Sequence, residues 1–348
     1  MPGPQAGWLL AALAIAGGAR AGDEAAGACP ARNEFPPTVN FRVDNDLFGG
    51  QDQGYSNGAQ LTLVSPNLKD YTDDPCLPRL ARWFNRHVGW LAPRGHEQQN
   101  MVVNFTHAIF TPTDFARRDL IPDDRPYAAA LLLGFGYNAR SGDRLRTTHL
   151  KLGMVGPAAR GEQVQHAVHK LTGSEPFEGW DNQLHDEPVF MLQHERMRRF
   201  GGNGDGEWGW DAIGHYGGAV GNFATFANAG YEVRFGRRLP DDFGSTPLRP
   251  VGENASPGHG GVWGSAWRYH FFLTADARWV LRDITLDGNT WKDSHSVDKK
   301  PLVGYVGYGF AVMKGRWKFA LARYQSSREF DGQKEAPVFG SFTISRAL

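Results

Sequence analysis

An excess of charge of either sign is missing from this sequence: 37 Lys and Arg stand against 37 Asp and Glu in 348 residues. A nucleic-acid binder needs a basic surplus to release counterions from phosphates, so that class is set aside. Long apolar runs are missing too. The one apolar stretch, Trp8 to Gly18, falls short of the roughly 20 residues that a spanning helix takes. With a mean hydropathy of −0.45, the chain does not read as a polytopic helical membrane protein. Cysteine is nearly absent: only Cys29 and Cys76 occur, enough for one disulfide in an oxidising compartment, and no His/Cys spacing suggests zinc. No internal repeat or low-complexity tract is visible.

What is present in quantity is glycine, 44 residues where ordinary usage is roughly 7%, together with 11 Trp, 10 Tyr and 22 Phe. The Trp8–Gly18 run ends in Ala19-Arg20-Ala21, an A-x-A cleavage pattern. Residues 1–21 therefore read as a secretory signal peptide and 22–348 as a single domain. Beyond residue 38, period-two alternation recurs over stretches of about ten residues, broken by Gly, Asp, Asn and Pro clusters. The pattern predicts strands over 39–48, 58–65, 101–110, 127–137, 146–155, 187–199, 209–220, 226–236, 267–281, 301–313, 316–325 and 337–346.

Strands of this length suit a tilted crossing of a bilayer rather than a soluble sheet, where five or six residues are usual. In the stretch from Tyr305 to Val312 one face carries Tyr305, Gly307, Gly309 and Ala311 and the other Val306, Tyr308, Phe310 and Val312. Large apolar residues suit a lipid-facing exterior, small or polar ones a crowded lumen. An even strand count also closes without an open edge. The expected fold is all-β, a twelve-stranded antiparallel transmembrane β-barrel with short helices in its loops. Against it, Arg346 interrupts the alternation of the last strand and the chain lacks a terminal aromatic. A soluble all-β protein is the competing reading. Helical spacing breaks the pattern in 75–91, with Leu80, Trp83 and Val88 on related faces, and in 161–171, where Gly173 stops the helix.

Three polar clusters carry candidate chemistry. Asp44-Asn45-Asp46 ends the first strand, and a hairpin brings Asn45 and Asp46 near Ser56 on the second. The helix at 161–171 holds His166 and His169, which the residues alone do not separate, and Glu175 follows its stop. Hard cations such as calcium take carboxylate and carbonyl oxygens, so Asp46 with Glu175 makes a minimal cation site. Arg117 and Arg118 precede Pro122-Asp123-Asp124-Arg125-Pro126-Tyr127, and adjacent guanidinium forks suit phosphate oxygens.

The order V-D-N-D-x-F-G-G-x-D-x-x-Y-S-N-G, F-T-P-T-D, P-D-D-R-P-Y-A, V-G-P…Q…H-K-L-T-G, W-x-N-Q-L-x-x-E-P and G-G-A-V-G-N resembles the outer-membrane lipid A 3′-O-deacylase family from about residue 38 to the end. The resemblance implies a membrane-embedded hydrolase of the bacterial outer membrane acting on lipid A, the anchor of lipopolysaccharide. It implies calcium-dependent removal of the 3′-acyloxyacyl chain by histidine-assisted water attack, with a site on the barrel's outer wall. Carried over residue by residue, the catalytic histidine falls on His169, with Asn45 and Ser56 beside it. The metal ligands fall on Asp46 and Glu175, and the headgroup-facing pair on Arg117 and Arg118. A monomer is expected. The alternatives are a phospholipase-type esterase with Ser56 as nucleophile, and a passive barrel with an open aqueous lumen.

Overall fold

In the computed structural model, the described residues are 29, 36–45, 54–92, 96–173, 175–201, 207–244 and 265–348, with the side chains of 54–56, 171 and 172 outside that description. The leader at 1–21 and Asp46 lie outside the described residues.

Twelve strands form one closed antiparallel barrel: β1 (Thr38–Asn45), β2 (Gly54–Val64), β3 (Gln98–Thr111), β4 (Ala128–Ser141), β5 (Arg144–Val155), β6 (Glu187–Gly201), β7 (Trp208–Val220), β8 (Ala224–Arg237), β9 (Arg268–Asp283), β10 (Leu302–Lys314), β11 (Trp317–Ser326) and β12 (Val338–Ala347). Each strand pairs with its chain neighbours, and closure joins β1 to β12 through Thr38↔Ala347 to Asn45↔Gly340. An up-and-down barrel of even count puts both termini at one rim. Connections after odd-numbered strands therefore gather at the opposite rim.

Alternation sorts the side chains as period two demands. On β10, Val306 and Tyr308 are exposed while Tyr305 and Ala311 are buried. Phe41, Phe105, Leu133, Phe190, Phe271 and Leu321 point outward on other strands. Gly307 faces in, where an added Cβ would stand 2.2 Å from the Tyr324 ring, so glycine there makes room for a lumen aromatic. Arg346 does not disturb the register. It faces outward opposite Trp317, and its guanidinium lies 5.0 Å from that ring's centroid, a cation–π contact that suits an exposed barrel wall.

Ion pairs cross part of the lumen, and a cavity remains beside them, bordered by an inward-facing row that runs from Leu145 and Met197 through His215 and Asp276 to Tyr305. Arg42 pairs with Asp44 inside β1. Near the terminus-bearing rim, Arg234 of β8 makes a two-toothed pair with Asp211 of β7 (2.8 and 2.6 Å). Its other edge meets Asp242, which also accepts from Lys318 of β11 at 3.1 Å. Asp242 belongs to the connection after β8, and beside it the buried Phe243 packs on Leu145, Met197 and Ile213. That connection thus folds back into the barrel mouth.

Burial alone would push the Asp242 carboxyl up. Lys318 and Arg234, the latter by charge and by hydrogen bond, outweigh burial and hold it well below the usual carboxylate range. A carboxyl depressed on folding contributes its stabilisation in full above its unfolded value and loses it as pH falls through the folded one. Mild acid therefore leaves this plug in place. Asp242→Ala strands buried Lys318 and is expected to cost about 3–5 kcal/mol, read as a lower denaturant midpoint for loss of the compact band on detergent gels. An unchanged midpoint would show that the plug does not hold the barrel.

Two helices cover the outside of the wall at opposite rims. Helix α1 (Arg79–Val88) lies in the connection after β2, with Phe84 and Val88 against a cluster that includes Met101, Val103, Phe135 and Tyr137. Leu80 and Trp83 do not join Val88 on that face. Both are exposed, because Val88 lies roughly 80° and more around the helix from them. Cys29 and Cys76 form a disulfide that ties the segment before β1 to the same connection.

Candidate active site on the outer wall

Helix α2 (Gly161–Thr172), in the connection after β5, presents Gly161, Gln165 and His169 on one buried face, the i, i+4, i+8 spacing of a helical stripe. His166 points away and is exposed. The geometry thus distinguishes the two histidines that the residues alone leave open. Under the stripe lie outward-facing residues of β3 and β4, which are buried because loops cover them. Ile109, Tyr127, Ala129, Ala159, Phe177 and Trp180 form one cluster there. Gly161 allows the close approach, since a Cβ on it would stand 2.4 Å from the Ala129 Cβ and 2.6 Å from the Trp180 ring. Trp180 Nε1 donates to Gln165 Oε1 at 2.9 Å, which fixes the rotation of the helix. His107, also outward on β3, hydrogen-bonds the Ala159 carbonyl at 2.8 Å.

His169 is buried, edge-on to Phe177 with ring centroids 5.5 Å apart. Its Nδ1 lies 2.6 Å from the backbone carbonyl oxygen of Glu175. A carbonyl only accepts, so the hydrogen sits on Nδ1 and the basic lone pair of the neutral ring is at Nε2. Gly173, with φ of 76°, terminates α2 by donating its N–H to the His169 carbonyl at 2.8 Å. This left-handed stop turns the chain back so that Glu175 reaches the histidine. The contact is made by the Glu175 backbone, while the residue itself is exposed.

Strand register brings Asn45 to the same wall. Asn45 pairs with Asn57, Asn57 with Ile109, and Ile109 with Ala129, so one row of outward-facing positions runs from the end of β1 to the floor under α2. Asn45 is buried there. The β2–β3 register shifts between Tyr55 and Asn57, a bulge at Ser56; bulges cluster beside active sites because they re-aim the local chain. Arg117 and Arg118 are exposed at the same rim in the connection after β3. Arg118 pairs with Glu178 at 3.0 Å, and its carbonyl accepts from Asn182 Nδ2 at 2.7 Å. The residues that hold the site together, Gln165, Phe177 and Trp180, carry no catalytic signature in the sequence.

Among the described residues no three His, Cys, Asp or Glu side chains group as a metal centre; Asp46 lies outside that set. The donors proposed for a cation, the Asp46 and Glu175 carboxylates, offer only oxygen, a chemistry that fits a hard ion such as calcium rather than zinc. A cavity of about 1250 Å³ lined by residues of β5 to β11, Asp276 and Tyr305 among them, contains none of the predicted site residues.

A family model described as outer membrane protein LpxR matches residues 8–348. Among solved structures, LpxR from Salmonella typhimurium superposes with a TM-score of 0.71 at 15% identity, covering 89% of this chain and 100% of that one. The β domain of the Bordetella autotransporter BrkA aligns at a TM-score of 0.40 and 10% identity over 90% of this chain and 98% of that one. The KdgM porin aligns at 0.35 and 6% over 89% and 99%. The last two carry no argument beyond resemblance. No curated protein matches the chain.

Proposed function

The chain belongs to the family of the outer membrane protein LpxR, lipid A-modifying enzymes of that membrane, and from this premise we propose that it hydrolyses the ester of the 3′-acyloxyacyl chain of lipid A. The observation that supports the reading best is the placement of His169: on the lipid-facing side of the wall, with its Nδ1 hydrogen bonded to the Glu175 carbonyl. An acyl chain can then stay in lipid while its ester reaches the imidazole.

In the proposed reaction His169 Nε2 removes a proton from water as the oxygen attacks the ester carbonyl. The imidazolium that forms remains bonded through Nδ1 to the Glu175 carbonyl and returns its proton to the departing alcohol oxygen. Ester and water become carboxylic acid and alcohol, and the histidine ends neutral. The Asn45 side-chain amide supplies a hydrogen bond to the oxyanion, and the bulge at Ser56 sets the chain beside it. Asp46 and Glu175 would hold calcium, which when bound would supply Lewis-acid stabilisation of developing negative charge.

Arg117 and Arg118 are proposed to take lipid A phosphate. The Arg118–Glu178 pair is exposed, the kind worth about 0–1 kcal/mol. Charge-assisted bonds to phosphate at roughly 1.5–3 kcal/mol outweigh it, so Arg118 can exchange partners.

Mass spectrometry of lipid A incubated with the purified protein in detergent is expected to show loss of one acyloxyacyl unit. A calcium chelator is expected to abolish the loss, and added calcium to restore it. Intact lipid A under all conditions would overturn the deacylase reading. Undiminished deacylation in chelator would overturn only the role of the ion.

A further inference from the structure

We propose that the outer wall of β5 and β6, at the rim that carries the termini, binds the phosphate of an anionic glycerophospholipid through four arginines. This rim is opposite to the one that holds His169, so the lipid belongs to the other leaflet from the substrate.

The β5–β6 register sets Arg144 directly opposite Arg198 and Arg146 directly opposite Arg196. All four are exposed and point outward, while Leu145 and Met197 between them are buried in the lumen. Like charges directly opposite across a ladder repel, and arginine on a lipid-facing surface is costly unless it finds anionic oxygen. None of the four forms an ion pair among the described residues. Two carboxylates near the same rim are already engaged: Asp143 holds Arg199 at 2.7 Å, and Asp241 holds Arg199 and, also at 2.7 Å, Arg140. Two opposed pairs of cations with no ion-pair partner among the described residues make a site for an external anion.

Their depth points to a lipid headgroup. On β6 the outward series is Phe190, Leu192, His194, Arg196, Arg198 and Phe200. Phe190 and Phe200 are both exposed. Ten residues separate them, about 26 Å of height at 3.4 Å per residue and a 40° tilt, which matches an apolar band of about 25 Å. Arg198 and Arg196 lie about 5 and 10 Å inside the Phe200 end of that span, a depth from which long arginine side chains snorkel up to the headgroup level. They are not beyond it in open water.

The surroundings suit the same ligand. Arg198 lies 4.9 Å from the Phe200 ring centroid, an aromatic contact that steadies the fork without neutralising it. Gly214 stands beside Arg198 and Tyr216 beside Arg196 on β7. A Cβ on Gly214 would have only the Phe200 ring nearby, at 3.6 Å, so the wall is indented next to the guanidinium groups. Guanidinium forks match phosphate oxygens two at a time, and each opposed pair can embrace one phosphodiester.

The inference rests on the barrel's place in a membrane and not on the deacylase reading, so the test uses binding without turnover. Native mass spectrometry of the protein in neutral detergent, titrated with phosphatidylglycerol, phosphatidylcholine, lipid A or inorganic phosphate, measures retained adducts. Phosphatidylglycerol is expected to be retained at least about tenfold better than phosphatidylcholine. Replacing all four arginines by glutamine is expected to bring the two within about twofold, with deacylation unchanged because His169 is at the far rim. Should that variant not fold, R144Q/R198Q alone is expected to lower the preference at least about threefold. Equal retention of the two glycerophospholipids, or a preference that survives the substitutions, would overturn the site. Competition by inorganic phosphate at equal concentration would overturn its lipid character. Tighter retention of lipid A, lost on the same substitutions, would overturn the assignment to a glycerophospholipid.

Discussion

Lipid A incubated with a His169→Ala variant is expected to keep its 3′-acyloxyacyl chain, the deacylation rate falling about 10²- to 10⁴-fold, the usual contribution of a positioned general base. His166→Ala is expected to leave the rate within about twofold. The two residues share one helical turn and one side-chain chemistry, so the pair separates position from composition. His169 lies on the buried stripe with Nδ1 held by the Glu175 carbonyl, and His166 points to the exterior. A Glu175→Ala variant refines the picture. Its backbone carbonyl remains, so the histidine tautomer is kept, while the carboxylate proposed for calcium is gone. The expected result is a raised calcium requirement in the deacylation assay. Equal loss of rate in the His166 and His169 variants would show that the helix matters as a structure and that the imidazole assignment is wrong.

The fold was legible because its signal is local. Tyr305 to Val312 displays inward and outward faces within eight residues, and the same alternation recurs often enough to give an even strand count. Arg346 looked like an interruption because its partner, Trp317, is set by strand pairing and not by nearby sequence. The lumen follows the same rule. Arg234, Asp211, Asp242 and Lys318 come from three strands and a connection, and no spacing within the chain announces that they meet. On α1 the periodicity was correct, but Leu80 and Trp83 turned outward because the wall accepts only the Phe84 and Val88 side. Motif order prefers His169 to His166, and the structure places His169 on the buried face of α2 and His166 on the exposed one. Contact through the Glu175 backbone carbonyl could not be named from motif order, since it depends on the left-handed turn at Gly173 rather than on the glutamate side chain.

That dependence on backbone placement gives the other large effect. Gly161→Val is expected to lower kcat/KM about 10²-fold while leaving barrel stability near wild type. The substituted Cβ would fall 2.4 Å from the Ala129 Cβ and 2.6 Å from the Trp180 ring. Ala129 is fixed by its ladder pairing with Ile109 and by the Gly156 N–H that donates to its carbonyl at 2.9 Å, and Trp180 is buried against Tyr127 with ring centroids 5.0 Å apart. Neither can give way easily, so α2 must lift. His169 is on the same helical stripe, and a displacement of roughly 1 Å at a reacting group is enough for a loss of this size. No strand pairing involves residue 161, so the compact band on detergent gels should persist to a similar denaturant concentration. The cause can be isolated by removing the opposing methyl group. Gly161→Ala combined with Ala129→Gly is expected to recover part of the activity lost in Gly161→Ala alone, with Trp180 limiting the recovery. A fully active Gly161→Val enzyme would show that seating α2 on the wall does not position the base. A double variant no better than Gly161→Ala would place the constraint at Trp180 instead of at the strand.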